Sequence, residues 1–401
     1  MQDTHPVVDT APTIRVEQRA SLLWAIIPLV LLAFVVGLVL VTGAGLGART
    51  APPLEALTID RITLPTLDSI VVEVTNGGAD PVTVAQVQVD DAYWTFTMTP
   101  ASTIPRLGRA TVTIPYMWVQ DEAHMIKLLS GNGTPFLGEI AVATLTPGPS
   151  VQTIGQYGLL GIYIGVIPIG LGLLWFPFLR RLGRTGLHAI LSLTVGLLVF
   201  LLFDTLAEAI EMMGQTAGVF GGAPLVWMIA LLTCLGIMVL GRRSGGAPPS
   251  HLGLSYRIAG GIGLHNLGEG LAVGAAFAFG EAALGTFLVV GFTLHNMTEG
   301  IGIAAPIARE RPAFYHFLLL AALAGLPAVL GVWIGGLLSN HLSTAIFLAI
   351  GAGAIAQVVY EVSMLIVRQT RKDGRSALSA ANFGGLIAGV VLMYATALLV
   401  A

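Results

Sequence analysis

Nine apolar runs, most of about twenty residues or more, recur along this chain of 401 residues. A run of about twenty residues is what a helix needs to cross the hydrocarbon core of a bilayer. The runs fall near 22–42, 156–178, 187–212, 223–241, 258–280, 283–308, 313–338, 342–367 and 378–400, and each reads as a spanning helix. Only 10% of residues are charged and 55% are hydrophobic, so the solvent for most of the chain is lipid. The first run follows Arg15 and Arg19 and resembles a signal sequence. It exceeds a typical cleavable core, which makes it an anchor behind a short tail, residues 1–21.

Basic residues are retained on the side from which a membrane protein is inserted, so their positions test the helix count independently of hydropathy. Arg15 and Arg19; Arg180, Arg181 and Arg184; Arg242, Arg243 and Arg257; Arg309 and Arg311; and Arg368, Arg371, Lys372 and Arg375 occupy every second inter-helix segment. Arg49, Arg61, Arg106, Arg109 and Lys127 lie in a polar insert, and the turns near 213–222, 281–282 and 339–341 hold none. The pattern predicts nine spans in a cell (inner) membrane, with the amino terminus cytoplasmic and the carboxyl terminus outside. A net charge of −3 leaves no basic stripe for nucleic acid. The single cysteine, Cys234, excludes a disulfide framework and a thiolate metal cluster.

Residues 54–150 differ in character. Ser69–Thr75 and Val82–Val89 alternate apolar and polar residues, the period of half-buried strands. Asn76-Gly77-Gly78 and Leu107-Gly108 carry turn chemistry. About seven short strands over this length predict a small antiparallel β-sandwich of the immunoglobulin-like kind, outside the cell. Asp90, Asp91, Asp121, Glu122 and His124 there are candidates for surface metal capture, although acidic residues at strand ends are more often simply solvated.

Two of the apolar runs share a phrase, Leu264-His265-Asn266-Leu267-Gly268-Glu269-Gly270 and Leu294-His295-Asn296-Met297-Thr298-Glu299-Gly300. Residues four apart share a helix face, with Cβ atoms roughly 5–6 Å apart, so each His and its Glu can hold one ion. Imidazole nitrogen and carboxylate oxygen suit zinc and its first-row neighbours. The two runs are joined by a very short turn and must run antiparallel, so the phrases face each other at mid-membrane depth. Asn266 and Asn296 add weaker donors. Interhelical hydrogen bonding alone would explain one such residue. Two Glu and two His are an expensive way to join helices, because a charge at the bilayer centre costs about 2.5–3.5 kcal/mol on insertion scales. Glycines flank both phrases, and Pro306, beyond Glu299, has the chemistry to kink the second helix.

The paired phrases resemble the signature of the ZIP (Zrt/Irt-like) divalent metal transporters, in the bacterial branch with His-Asn-x-x-Glu-Gly, and the resemblance covers residues 156–401. It implies an eight-helix bundle with the phrases on its fourth and fifth helices and a cytoplasmic loop at 242–257. The anchor at 22–42 and the β insert are additions outside that family. By resemblance, His265, Asn266, Glu269, His295, Asn296 and Glu299 are metal ligands. Family members often hold two ions, with a carboxylate where Asn296 stands and a Glu before a proline on the sixth helix, where this chain has Leu326 before Pro327. Losing two carboxylates predicts one tightly held ion. The family's often His-rich loop offers only His251 here.

Asp204, Glu208 and Glu211 lie at i, i+4 and i+7, on one face toward the outer end of the second core helix, a candidate entrance for cations. Gln357 and Glu361 share a face of the seventh core helix in its inner half, a candidate exit. The function expected is uptake of Zn2+, with Fe2+, Mn2+ and Cd2+ as alternatives that the same donors accept. No phosphate-binding Gly-Lys-Ser/Thr loop is present, so an ATPase is not expected. An intramembrane metal-dependent hydrolase and a metal sensor signalling through the β insert remain alternatives. The first would show activity on lipid or peptide, the second binding without flux. Expected partners are divalent metal ions, the lipid bilayer and, for assembly, a second copy in a homodimer. The partner of the β insert is unspecified.

Overall fold

The computed structural model describes residues 26–38, 55–242, 250–278, 282–338, 340–374 and 376–400. The tail, the two ends of the anchor run, and Arg15, Arg19, Arg49, Arg243 and Arg375 lie outside the described residues. Helix α1, Ile26–Leu38, forms in the anchor run.

The polar insert folds as strands β1 Leu57–Thr66, β2 Ser69–Asn76, β3 Val82–Val89, β4 Ala92–Trp94, β5 Thr97–Thr99, β6 Thr103–Ile104, β7 Arg109–Ile114, β8 His124–Ser130 and β9 Pro135–Ile140. There are nine of them rather than about seven, three of which, β4, β5 and β6, are only two or three residues long. All pairings are antiparallel, in two sheets of order β1-β2-β7-β5 and β4-β3-β8-β9. That order is the immunoglobulin arrangement, with an extra short strand beside β3. Ile70, Val72 and Val74 of β2 are fully buried, as alternation requires. In β3 the inward residues are Val82 and Val84 and then Val87 and Val89. The phase changes at a register shift between Val84 and Gln86, where a bulge turns the second half of the strand back toward the core.

Asn76-Gly77-Gly78 does not close a hairpin. β2 and β3 belong to opposite sheets, and the segment carries the chain across. Asn76 knots this crossing: its amide donates to Asp80 O and Ile104 O, and its side-chain oxygen accepts from Gly78 N–H. Asn76 is fully buried. Asn76→Ala strips Ile104 O, Gly78 N–H and the half-buried Asp80 O of partners, so thermal melting of the β domain should report a loss of about 2–4 kcal/mol.

The rest of the described chain is helical, and the molecule is about 63% helix. The order is α2 Val151–Gly161, a π-helical turn at Ile162–Val166, α3 Ile167–Leu173, α4 Phe176–Leu179, α5 Arg184–Gly214, α6 Ala223–Arg242, α7 His251–Ala278, α8 Ala282–Ala304, α9 Phe314–Leu338, α10 His341–Lys372 and α11 Ala380–Val400. Ser150 starts α2, its hydroxyl accepting from Thr153 N–H at 3.0 Å. Asn340 and Ser343 start α10 with a reciprocal capping box. Five helical spans among the described residues are long and apolar enough to cross a membrane: Val151–Leu179, Arg184–Gly214, Gly218–Gly241, Phe314–Leu337 and His341–Lys372. Helices α7 and α8 fall outside that class because the His, Asn, Glu and Gly of the two phrases lower their hydropathy. Two expectations need correction. His251 lies in the first turn of α7 rather than in a loop. Helix α8 ends at Ala304, so Pro306 lies beyond its end and introduces no kink.

Helix α9 lies against α7, α2 and the π-helical turn, and α8 lies against α3 and α7; α5 lies against α10 and α11, and α6 against α10, while α7 joins these through an extensive contact with α10. The α7–α9 seam is held by backbone approach. A Cβ at Gly270 would lie 2.2 Å from Ala328 O, and one at Gly331 would lie 2.2 Å from Leu267 O, so only glycine fits on either side of the α7–α9 seam. The sandwich seats on the helices at the turn after α5, where Gly77 packs against Ala217. It also reaches the start of α10, where His341 makes a side-chain contact to the Asp60 backbone.

Candidate metal centre

Helices α7 and α8 bring the two phrases together through one carboxylate. His295 Nε2 donates to Glu269 Oε1 at 2.5 Å, and His265 Nε2 stands 2.8 Å from the same oxygen. Ligand atoms of His265, Glu269 and His295 all lie within 4.8 Å of one another. All three residues are buried, at 2%, 3% and 6% exposure. Among the described residues this is the one group of three or more His and acidic side chains that converges in this way.

The asparagines hold the two phrases in place by equivalent contacts. Asn266 donates to Ala324 O of α9 at 3.0 Å, and Asn296 donates to Ile164 O at 2.7 Å. Ile164 lies in the π-helical turn, whose altered hydrogen-bond pattern turns a carbonyl to a side chain of another helix. The Asn296 amide also reaches Glu269 Oε2 at 3.2 Å and so orients the shared carboxylate. The closing glycine of each phrase repeats the symmetry, Gly270 lying on Ala328 of α9 and Gly300 on Ile169 and Gly172 of α3.

Glu299 stands apart from the triad. It is 3% exposed, and neither carboxylate oxygen has a hydrogen-bond partner. The Asn266 amide lies beside it, one N–H going to Ala324 O and the other side of the NH2 group facing the carboxylate. Asn266 Oδ1, Asn296 Oδ1 and His265 Nδ1 are also buried without partners. A small cavity lined by His295, Thr298, Glu299, Thr194 and Met393 adjoins the centre. An unmet buried polar group costs about 1–3 kcal/mol, so a set evolved only to join helices would pair these atoms with one another. The donor set, two imidazoles and two carboxylates with amide oxygens nearby, fits a first-row dication.

Leu326 takes no part in the centre. It is 51% exposed on the outer face of α9, while Ala324, two residues earlier, supplies the carbonyl that Asn266 uses.

The acidic ladder of α5 does approach the centre. Asp204 interacts electrostatically with His295, Glu269 and His265, and Glu208 with Asp204, Glu269, His265 and Glu211. Asp204 and Glu211 are exposed and Glu208 is half-buried. On the other side, Gln357 is 1% exposed, and its amide donates to Glu361 at 3.4 Å. Charge placement assigns Arg257 to orientation alone. In the structure its guanidinium also donates to Glu361 at 3.3 Å and to Gly241 O at 2.5 Å, an ion pair on the α7–α10 seam two helical turns from His265. Nothing in the spacing of a lone arginine marks that role.

The surface group in the sandwich has a structural role. Asp90 accepts from His124 Nδ1 at 2.8 Å and from Met125 N–H at 2.9 Å, and Asp91 pairs with Lys127. Burial pulls the Asp90 carboxyl up, but Met125 N–H, His124 and the Tyr116 hydroxyl together hold it below the usual carboxylate value. Asp121 and Glu122 make backbone bonds to Ala143. His251 pairs with Glu310 at 3.2 Å, away from the centre.

No protein-family model matches this chain, and no curated protein matches it in sequence.

Proposed function

We propose that the chain carries divalent metal ions across a membrane into the cytoplasm, zinc first among them, as a ZIP-like transporter whose eight-helix core spans 156–401. The observation that carries this reading is the set of buried, unpartnered donor atoms on Asn266, Asn296 and Glu299 around the His265, Glu269 and His295 cluster. An ion supplies the positive partner that those atoms lack. The cargo arrives along Glu211, Glu208 and Asp204, loses water to the imidazoles and carboxylates, and leaves past Gln357 and Glu361. Alternating access, as the resemblance implies, would shift the bundle carrying α7 and α8 against the other helices and so requires sliding at the α7–α10 seam. Leaving inward requires the Arg257–Glu361 pair to open. Iron, manganese and cadmium satisfy the same donors and are tested as competing cargoes.

The test is uptake of zinc into proteoliposomes by the wild type, by Glu299→Ala and by a chain lacking 54–150, with metal content of the purified protein measured alongside. Wild type should accumulate zinc and hold one tightly bound ion per chain. Glu299→Ala should slow uptake by about tenfold or more, the loss expected when a group beside a metal is removed. Normal uptake by Glu299→Ala would remove that residue from the path, and two tightly held ions per chain would overturn the single-ion reading.

A further inference from the structure

A half-open chamber of about 710 Å3 lies between the sandwich and the helices. Thr58, Glu139 and Thr146 line it from the sandwich, and Gln215, Ala278 and His341 line it from the helices. The helix residues are a selective set. Gln215 follows the end of α5, beyond the acidic ladder Asp204, Glu208 and Glu211. Ala278 ends α7, which carries His265 and Glu269. His341 begins α10, which carries Gln357 and Glu361. The chamber therefore sits where the three helices that hold the triad's first half, the ladder and the inner pair all reach the same face. By charge placement that face is the outer one.

We infer that the β domain roofs the ion's way in, and that the dication crosses this chamber, still hydrated, before it meets Glu211. The inference rests on the transport reading above. A dication with about six waters occupies on the order of 200 Å3, so the chamber admits the hydrated ion with room to spare. Arg61 and Glu139 both line the chamber, and their opposite charges leave it without a strong field of its own. The acidic ladder of α5 supplies the attraction. The contact of Gly77 with Ala217 fixes the roof beside the end of α5.

The experiment places single cysteines at Glu139→Cys and Gln215→Cys in a Cys234→Ala background and modifies them with a bulky, membrane-impermeant thiol reagent. Both positions are exposed, one on each wall of the chamber. Met117→Cys, on a residue 81% exposed that does not line the chamber, is the control. Zinc uptake is compared before and after modification of the same variant, with equilibrium zinc binding in detergent as a second readout. Modification at 139 or 215 should slow uptake by about tenfold or more while binding in detergent changes little, and modification at 117 should do neither. Full uptake after complete modification at both chamber positions overturns the inference while leaving transport intact. Absence of zinc uptake by the unmodified wild type overturns the transport reading itself, and the inference falls with it.

Discussion

Glu269→Ala should lower zinc affinity by more than about a hundredfold and abolish uptake, while the helices remain folded. Glu269 is the one side chain that both phrases share: its Oε1 meets His295 and stands beside His265, and its Oε2 receives the Asn296 amide. Removing it leaves two imidazoles with no anion between them and Glu299 standing to one side, and a site stripped of its shared carboxylate binds a dication more weakly. The helix seam is untouched, because Gly270, Gly274 and Gly331 hold α7 on α9 through backbone contact that needs no Glu269 side chain. Equilibrium dialysis with zinc, uptake in proteoliposomes and size-exclusion profiles separate the cases. A variant that loses stability but still transports would mark Glu269 as a helix joint and end its assignment as a ligand.

Gly331→Leu should have the larger effect on the fold itself. A Cβ there would lie 2.2 Å from Leu267 O and 2.8 Å from Leu271 N, and both are backbone atoms of α7 that no rotamer change can clear. Helices α7 and α9 must separate, at a cost of more than about 3 kcal/mol. Separation also draws Asn266 from Ala324 O and carries His265 and Glu269 away from His295. Thermal melting in detergent should show a large fall in midpoint together with loss of zinc binding. Gly260→Ala, where an added Cβ meets nothing, is the control and should melt like the wild type.

Helix positions were legible because apolar length is a direct physical requirement of the bilayer, and each described α-helix overlaps a predicted run. Their ends were less so. Helix α2 begins at Val151 and α7 at His251, several residues ahead of the apolar runs, because a Ser150 cap in one case and polar residues in the other continue a helix that hydropathy no longer marks. The strands followed from alternation. Their partners did not, since Asn76-Gly77-Gly78 marks a turn without specifying which sheet the chain joins next.

The centre was legible as a face and not as a coordination set. Spacing of four placed each His with its own Glu. Antiparallel packing instead put Glu269 between His265 and His295, left Glu299 to one side and sent both asparagine amides outward to carbonyls. The π-helical turn that offers Ile164 O had no sequence mark beyond Gly161, Gly165 and Pro168 nearby. Leu326 stands before proline where the resemblance places a Glu, and its exposure on the outer face of α9 is a matter of helix rotation that a place in a motif does not specify.

Each asparagine fastens its phrase to a helix that packs with it, Asn266 to α9 and Asn296 to the segment leading into α3. Helix packing and the geometry of the centre are therefore coupled: a displacement of α9 or of the π-helical segment turns the amide that braces each phrase, so a substitution far from any imidazole can detune the donors.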